Sequence, residues 1–180
     1  MIINNPFFWA LISMFGMTMA VGTWGRPDKV AKYPVVFIIV SLVTIGRIIL
    51  PLPFVSQPRF ELWGLNWIIG VVILVFGLFI GGIPTFSIKP LTPPTPDMEL
   101  KTSGLYGIVR NPIYLGEQLW FIGYCIMFQS IIGLCTVPLW WLAFLVHILA
   151  EEKMLEDTIG DKYREYKKKV KGRMLPGLPI

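Results

Sequence analysis

Long apolar runs separated by short polar breaks dominate this chain, and their lengths define its elements. A membrane-crossing helix needs about 20 mostly apolar residues, within a range of roughly 17–25. Residues 7–24, 33–52 and 63–83 each meet that length. The first has no basic stretch ahead of it and is too long for the apolar core of a cleaved leader, so it reads as a retained span. Arg47 falls near the end of the second, where a snorkelling arginine is the ordinary expectation and a functional ion pair the alternative. Gly77 and Gly81 place a GxxxG pair in the third, the spacing of close helix packing.

Beyond residue 83 the pattern changes. Pro84, Pro90, Pro93, Pro94 and Pro96 are too dense for helix or central strand and predict an extended loop to about residue 103. Apolar character resumes over residues 113–149, interrupted by Gln129 and Ser130. That run is too long for one span and fits two of about 17 residues joined by a tight turn, each covering about 26 Å at ~1.5 Å per residue. Such a hairpin returns the chain to the face it left, so residues 110–114 should meet Glu151 and Glu152. Those two acids are expected to open a charged surface helix, at the positive end of its dipole. Leu155, Ile159, Tyr163, Tyr166 and Val170 then make an apolar stripe at helical spacing. Gly160 closes one helix and Asp161 caps the next, giving segments that lie on the membrane surface or fold back on the loops.

The expected fold is therefore all-α and polytopic, with five spans, a C-terminal helical hairpin and amphipathic surface helices. Residues 1–83 form three generic spans, and residues 84–180 hold the loop, hairpin and tail. Arg26, Lys29, Lys32, Lys89, Lys101, Arg110 and the basic tail alternate with a loop carrying only Arg59. The positive-inside rule puts the N-terminus outside and both the Pro-rich loop and the tail in the cytoplasm.

Composition agrees. Of 180 residues, 54% are apolar and 15% charged, where soluble proteins carry about 25% charged. A soluble enzyme, a disordered chain and a disulfide scaffold are all poor fits. The net charge of +5 comes with eight basic and six acidic residues in 151–173. After an apolar hairpin this tail suits anionic headgroups rather than nucleic acid. Cys125 and Cys135 sit in apolar runs and are expected to be small buried hydrophobes. With two cysteines and one histidine, a four-ligand zinc site is nearly excluded, and no metal is expected.

Polar groups gather at one expected membrane face: Tyr106, Arg110, Asn111, Tyr114, Glu117, His147, Glu151, Glu152 and Arg173. Glu117, one turn into the fourth span, is either a functional carboxylate or the partner of Arg110 or Lys101. His147 is either a hydrogen-bonded interface residue or a catalyst. Tyr106 and Tyr114 singly would be belt tyrosines. No GxGxxG, GxxxxGK[ST] or GxSxG motif is present, so a cofactor pocket would be built from loops and helix ends.

In order, Thr102-Ser103-Gly104-Leu105-Tyr106 and Val109-Arg110-Asn111-Pro112-Ile113-Tyr114-Leu115-Gly116-Glu117 precede Glu151-Glu152, Ile159-Gly160, Tyr163, Tyr166, Arg173 and Pro176. This arrangement resembles the isoprenylcysteine carboxyl methyltransferase family, a group of membrane methyltransferases with phospholipid methyltransferase relatives. The likeness covers residues 84–176 and implies an S-adenosylmethionine-dependent enzyme with a lipid-side entrance for its methyl acceptor. It implies cofactor contacts at Met98, Glu99, Leu100, Lys101, Tyr106, Asn111, Pro112, Ile113, Tyr114, Glu151 and Glu152. His147, Arg110 and Glu117 are the catalytic candidates. Aromatic faces and a carboxylate suit a cofactor bearing a sulfonium and an ammonium, and methyl transfer needs no metal. Many relatives have histidine where Asn111 stands, and the prenylcysteine enzymes place arginine where His147 stands. The acceptor is thus expected to be a lipophilic small molecule or lipid of unspecified chemistry. The implied localisation is multi-pass in the membrane, with a cytoplasm-facing site; membrane lipids are the other expected partner, and oligomeric state is not read. The rivals are a sterol-reductase-type NADPH enzyme and a non-enzymatic membrane scaffold.

Overall fold

A computed structural model describes residues 2–24, 35–87 and 94–179. Arg26, Lys29, Lys32, Lys89, Pro90 and Pro93, used above for topology and loop, lie outside the described residues. Six α-helices follow in order among the described residues: α1 (Pro6–Trp24), α2 (Val35–Ile49), α3 (Leu65–Ser87), α4 (Pro112–Met127), α5 (Ile131–Ile159) and α6 (Asp161–Lys169). Among the described residues no strand forms, only an isolated bridge between Arg59 and Ser130. Two helices among the described residues, Leu65–Phe86 and Ile131–Ile159, are long and apolar enough to cross a membrane.

Local chemistry sets the helix ends. Pro6 opens α1, where its missing N–H is not needed, and the Asn5 side chain accepts from the Phe7 N–H at 2.9 Å. Ser130 caps α5 by accepting from the Gly133 N–H at 3.0 Å. Gly160, at φ +62°, ends α5 and occupies the N-cap of α6, so Asp161 lies in the first turn rather than at the cap. Two expected boundaries move. Pro84 lies inside α3, which runs on to Ser87. Glu151 and Glu152 do not open a helix, because α5 is continuous for 29 residues. At ~1.5 Å per residue it is about 44 Å long, well beyond the ~30 Å hydrocarbon thickness of a bilayer.

Glycines let α3 and α4 pack backbone to backbone. A Cβ at Gly70 would lie 2.6 Å from the Met127 nitrogen, and Cβ atoms at Gly77, Gly116 and Gly123 would collide with the facing backbone. The opposite face of α4 turns to α5, building a core from Phe121, Cys125, Trp140, Phe144 and Ile148, with Leu50 and Met174. Cys135, by contrast, is exposed, so only Cys125 is the expected buried hydrophobe.

At one end of the bundle Arg59 organises the α2–α3 connection. It donates to the carbonyls of Pro51, Leu52 and Val55 at 3.1, 2.7 and 3.2 Å, and to that of Phe128 in the α4–α5 turn. The other end, where α4 begins and α5 ends, carries the candidate site.

Candidate active site

The hairpin joins the two halves of the polar collection. Tyr114, in the first turn of α4, donates its hydroxyl to Glu151 Oε2 at 2.9 Å. The Tyr114 ring packs against Phe144 at 5.3 Å and edge-on to His147 at 5.6 Å. Tyr106, in the 3-10 turn Gly104–Gly107, reaches the same carboxylate electrostatically. Its hydroxyl is pushed up to about 12 by burial and then by the Glu151 charge. Tyr114 and Glu151 thus form an aromatic-walled acidic corner, with Tyr106 within range of its charge. At its edge Asn111 precedes α4, with its side-chain nitrogen buried and unpartnered, and Pro112 and Ile113 form the first turn beside it.

Arg110 and Glu152 form a separate unit. Arg110 Nε donates to Glu152 Oε1 at 2.7 Å, both side chains being 4% exposed. Its Nη1 donates to the carbonyls of Val170 and Lys171 at 2.6 and 2.8 Å. Arg173 donates to the other Glu152 oxygen at 3.2 Å and to the Pro179 carbonyl. The backbone adds Arg110 N–H to Gly172 O at 2.9 Å and Asn111 N–H to Arg173 O at 2.8 Å. A buried carboxylate so paired costs little to hold, whereas losing one partner would strand a charge. Arg110 and Glu152 therefore strap the C-terminal segment across the start of α4.

The amphipathic stripe folds inward. Tyr163, Tyr166 and Val170 pack with Leu100 and Leu155, and Tyr166 donates to the Tyr106 carbonyl at 2.7 Å. Burial raises both tyrosine hydroxyls, with the nearby Glu152 charge adding to the rise. Of the loop residues expected at a cofactor, Leu100 joins this cluster, Met98 is half-buried, and Glu99 and Lys101 are exposed.

Glu117 faces away from Arg110 and Lys101. Its partner is Arg47 of α2, with Nη1 at 2.9 Å from Oε2 and Nη2 at 2.7 Å from the Glu117 carbonyl. Trp120 Nε1 donates to the same Oε2 at 2.9 Å. Arg47 does not snorkel: its side chain is 2% exposed, and its guanidinium lies 4.6–5.8 Å from the rings of Trp120, Phe121, Trp140 and Phe144. Desolvation sets the environment, and the carboxylate with four aromatic faces compensates it.

Sequence reasoning passed over Gln118, a fully buried amide on α4. The signal was present, since an amide inside an apolar span is as unusual as the acid beside it.

Residues 65–162, more than half of the chain, match the phospholipid methyltransferase family. A protein-S-isoprenylcysteine O-methyltransferase of Schizosaccharomyces pombe is 33% identical over 85 residues, covering 47% of this chain and 34% of that protein. The Dictyostelium discoideum protein of the same name is 29% identical over 126 residues, 65% of this chain and 51% of its own. A methanethiol S-methyltransferase of Pseudomonas deceptionensis is 33% identical over 119 residues, 64% and 42% respectively. The matches span about a third to a half of these curated relatives' lengths. No solved structure matches the chain.

Proposed function

This chain belongs to the phospholipid methyltransferase family, and from that premise we propose that it is an integral membrane S-adenosylmethionine-dependent methyltransferase. Its acceptor is a small lipophilic or amphiphilic molecule reached from the lipid. In this reading the chain is multi-pass with five spans, residues 84–180 form the catalytic region, and the site faces the cytoplasm. The observation that carries the proposal is the corner made by Tyr114 and Glu151, with Tyr106 within range of its charge, at the membrane-edge end of the hairpin.

The residues present fit such a cofactor. When bound, it supplies a methyl carbon on a sulfonium that leaves as a neutral thioether once an acceptor lone pair attacks in line. Glu151 offers its carboxylate to the cofactor's positive charges, held in place by the Tyr114 hydroxyl. The two tyrosine rings present electron-rich faces to the same charges. Asn111, whose side-chain nitrogen lacks a partner, supplies a donor for a carboxylate or hydroxyl oxygen. Pro112 and Ile113 wall the entrance, and Met98 to Lys101 close over it from the loop. Arg110 and Glu152 act as the clamp that fixes these parts, excluding water behind the Tyr163–Tyr166 cluster. His147 packs edge-on against Tyr114, and in this reading it handles the acceptor's proton.

Calorimetry of the purified chain with S-adenosylmethionine tests the reading. Glu151→Gln should weaken binding about ten- to a hundredfold, the loss of a charge-assisted contact worth roughly 1.5–3 kcal/mol. Asp157→Asn, at an exposed position of the same helix, should leave it unchanged. Absence of binding by the unmodified chain, or equal effects of the two substitutions, would refute it.

A further inference from the structure

The seam between α4 and α5 continues inward from Tyr114 and Glu151. Along α4, Gln118, Phe121 and Cys125 follow Tyr114 on one helix face; along α5, His147, Phe144 and Trp140 follow Glu151 on another. The two faces meet. Tyr114 touches Phe144 and His147, and Phe121 and Trp140 both flank the Arg47 guanidinium. Gln118 is 0% exposed, one turn inward of Tyr114, and neither its amide oxygen nor its amide nitrogen has a hydrogen-bond partner. The Trp140 indole N–H, also 0% exposed, is unpartnered too. Buried polar groups are normally paired, and each exception calls for a reason.

Resting on the methyltransferase reading, we propose that this seam is the acceptor subsite and takes a small thiol, with Gln118 as the specificity-determining residue. The Gln118 N–H donates to the thiol sulfur and its carbonyl oxygen accepts from the S–H, while aromatic rings surround the carbon substituent. Three observations favour this class. A neutral amide whose donor nitrogen and acceptor oxygen are both unpartnered matches a neutral S–H group. A carboxylate would call for a second cation, since the Arg47 charge is already balanced by Glu117, with both Nη atoms bonded there and only Nε unpartnered. Aromatic walls, here Phe121, Phe144 and Trp140, suit a polarisable sulfur. The reaction balances: a thiol S–H bond and the cofactor's methyl–sulfur bond break, a thioether C–S bond forms, and one proton is released.

The test uses the full chain in detergent with S-adenosylmethionine as donor and methanethiol, ethanethiol or S-farnesylcysteine as acceptor. Gln118→Met keeps the side-chain length and removes both polar atoms. It should raise KM for methanethiol about five- to tenfold, the loss of two weak neutral hydrogen bonds to a thiol. kcat and cofactor affinity should stay within about twofold, and Tm should hold or rise because an unpaired amide is gone. Should that variant not fold, Gln118→Asn, which draws the amide back by one methylene, carries the same comparison. An unchanged KM, or a lower Tm with a parallel loss of cofactor affinity, overturns the proposal. So does an unmodified chain that binds the cofactor yet methylates only S-farnesylcysteine or no thiol. Failure to bind S-adenosylmethionine at all sinks the methyltransferase reading itself.

Discussion

The Arg47–Glu117 pair offers an asymmetry that can be measured. Glu117→Leu strands a guanidinium whose side chain is 2% exposed, whereas Arg47→Met strands a carboxylate that is 42% exposed and can recruit water. Removing one partner from around a buried charge costs about 3–5 kcal/mol, and Glu117→Leu should fall in that range. Arg47→Met also loses two bonds to Glu117 and the contacts to four rings. It relieves the desolvation of a buried cation, however, and its thioether repacks against the same rings for about 0.3–1.5 kcal/mol each. Its net cost should be about 1–2 kcal/mol. The double variant removes both charges and should be more stable than Glu117→Leu alone, with a coupling of about 2 kcal/mol. Equilibrium unfolding of the four proteins in mixed micelles under a rising fraction of denaturing detergent measures all three terms. If Glu117→Leu proves no more damaging than Arg47→Met, and the two effects simply add, the pair is not the buried anchor described here.

Gly116→Val should destabilise the bundle by about 1–3 kcal/mol or more, because its Cβ would run into the Gly81 backbone. Gly82→Ala, which meets nothing within 4 Å, should be neutral or stabilising; thermal unfolding of both variants checks the contrast. Cysteines placed at Ser103 and Lys168 should label from the same, cytoplasmic, side, since Tyr166 is bonded to Tyr106 across these two segments. Labelling from opposite sides would refute that topology.

Features of the fold that depend on local or periodic chemistry were legible in the residues. The α4–α5 hairpin followed from the length of one apolar run and the polar Gln129-Ser130 break, and it brought Tyr114 to Glu151 and Arg110 to Glu152 as expected. The Gly77 and Gly81 spacing correctly announced a close helix contact, without saying that Gly116 of α4 would fill it. Pro84 misled because a proline deletes one donor but does not forbid a helix whose neighbours are already set. There the Thr85 hydroxyl bonds the Gly81 carbonyl at 2.7 Å, and α3 continues.

Arg47 was misread for a different reason. Whether an arginine near the end of an apolar run reaches for water or turns inward depends on what the inward direction holds. Here that is Glu117, 70 residues away, together with rings from the same helix α4 and from α5. No periodicity encodes such a meeting. Gln118 makes the same point one position on. Its neighbour Glu117 lies on the side of α4 facing α2, and Gln118, turned about 100° around the helix, enters the seam with α5. Two adjacent polar residues in one apolar span thus have opposite roles: Glu117 is satisfied by a distant cation and holds the bundle together. Gln118 remains unpaired where the Tyr114–Glu151 corner opens inward, at the acceptor subsite proposed above and at a residue that family resemblance alone would pass over.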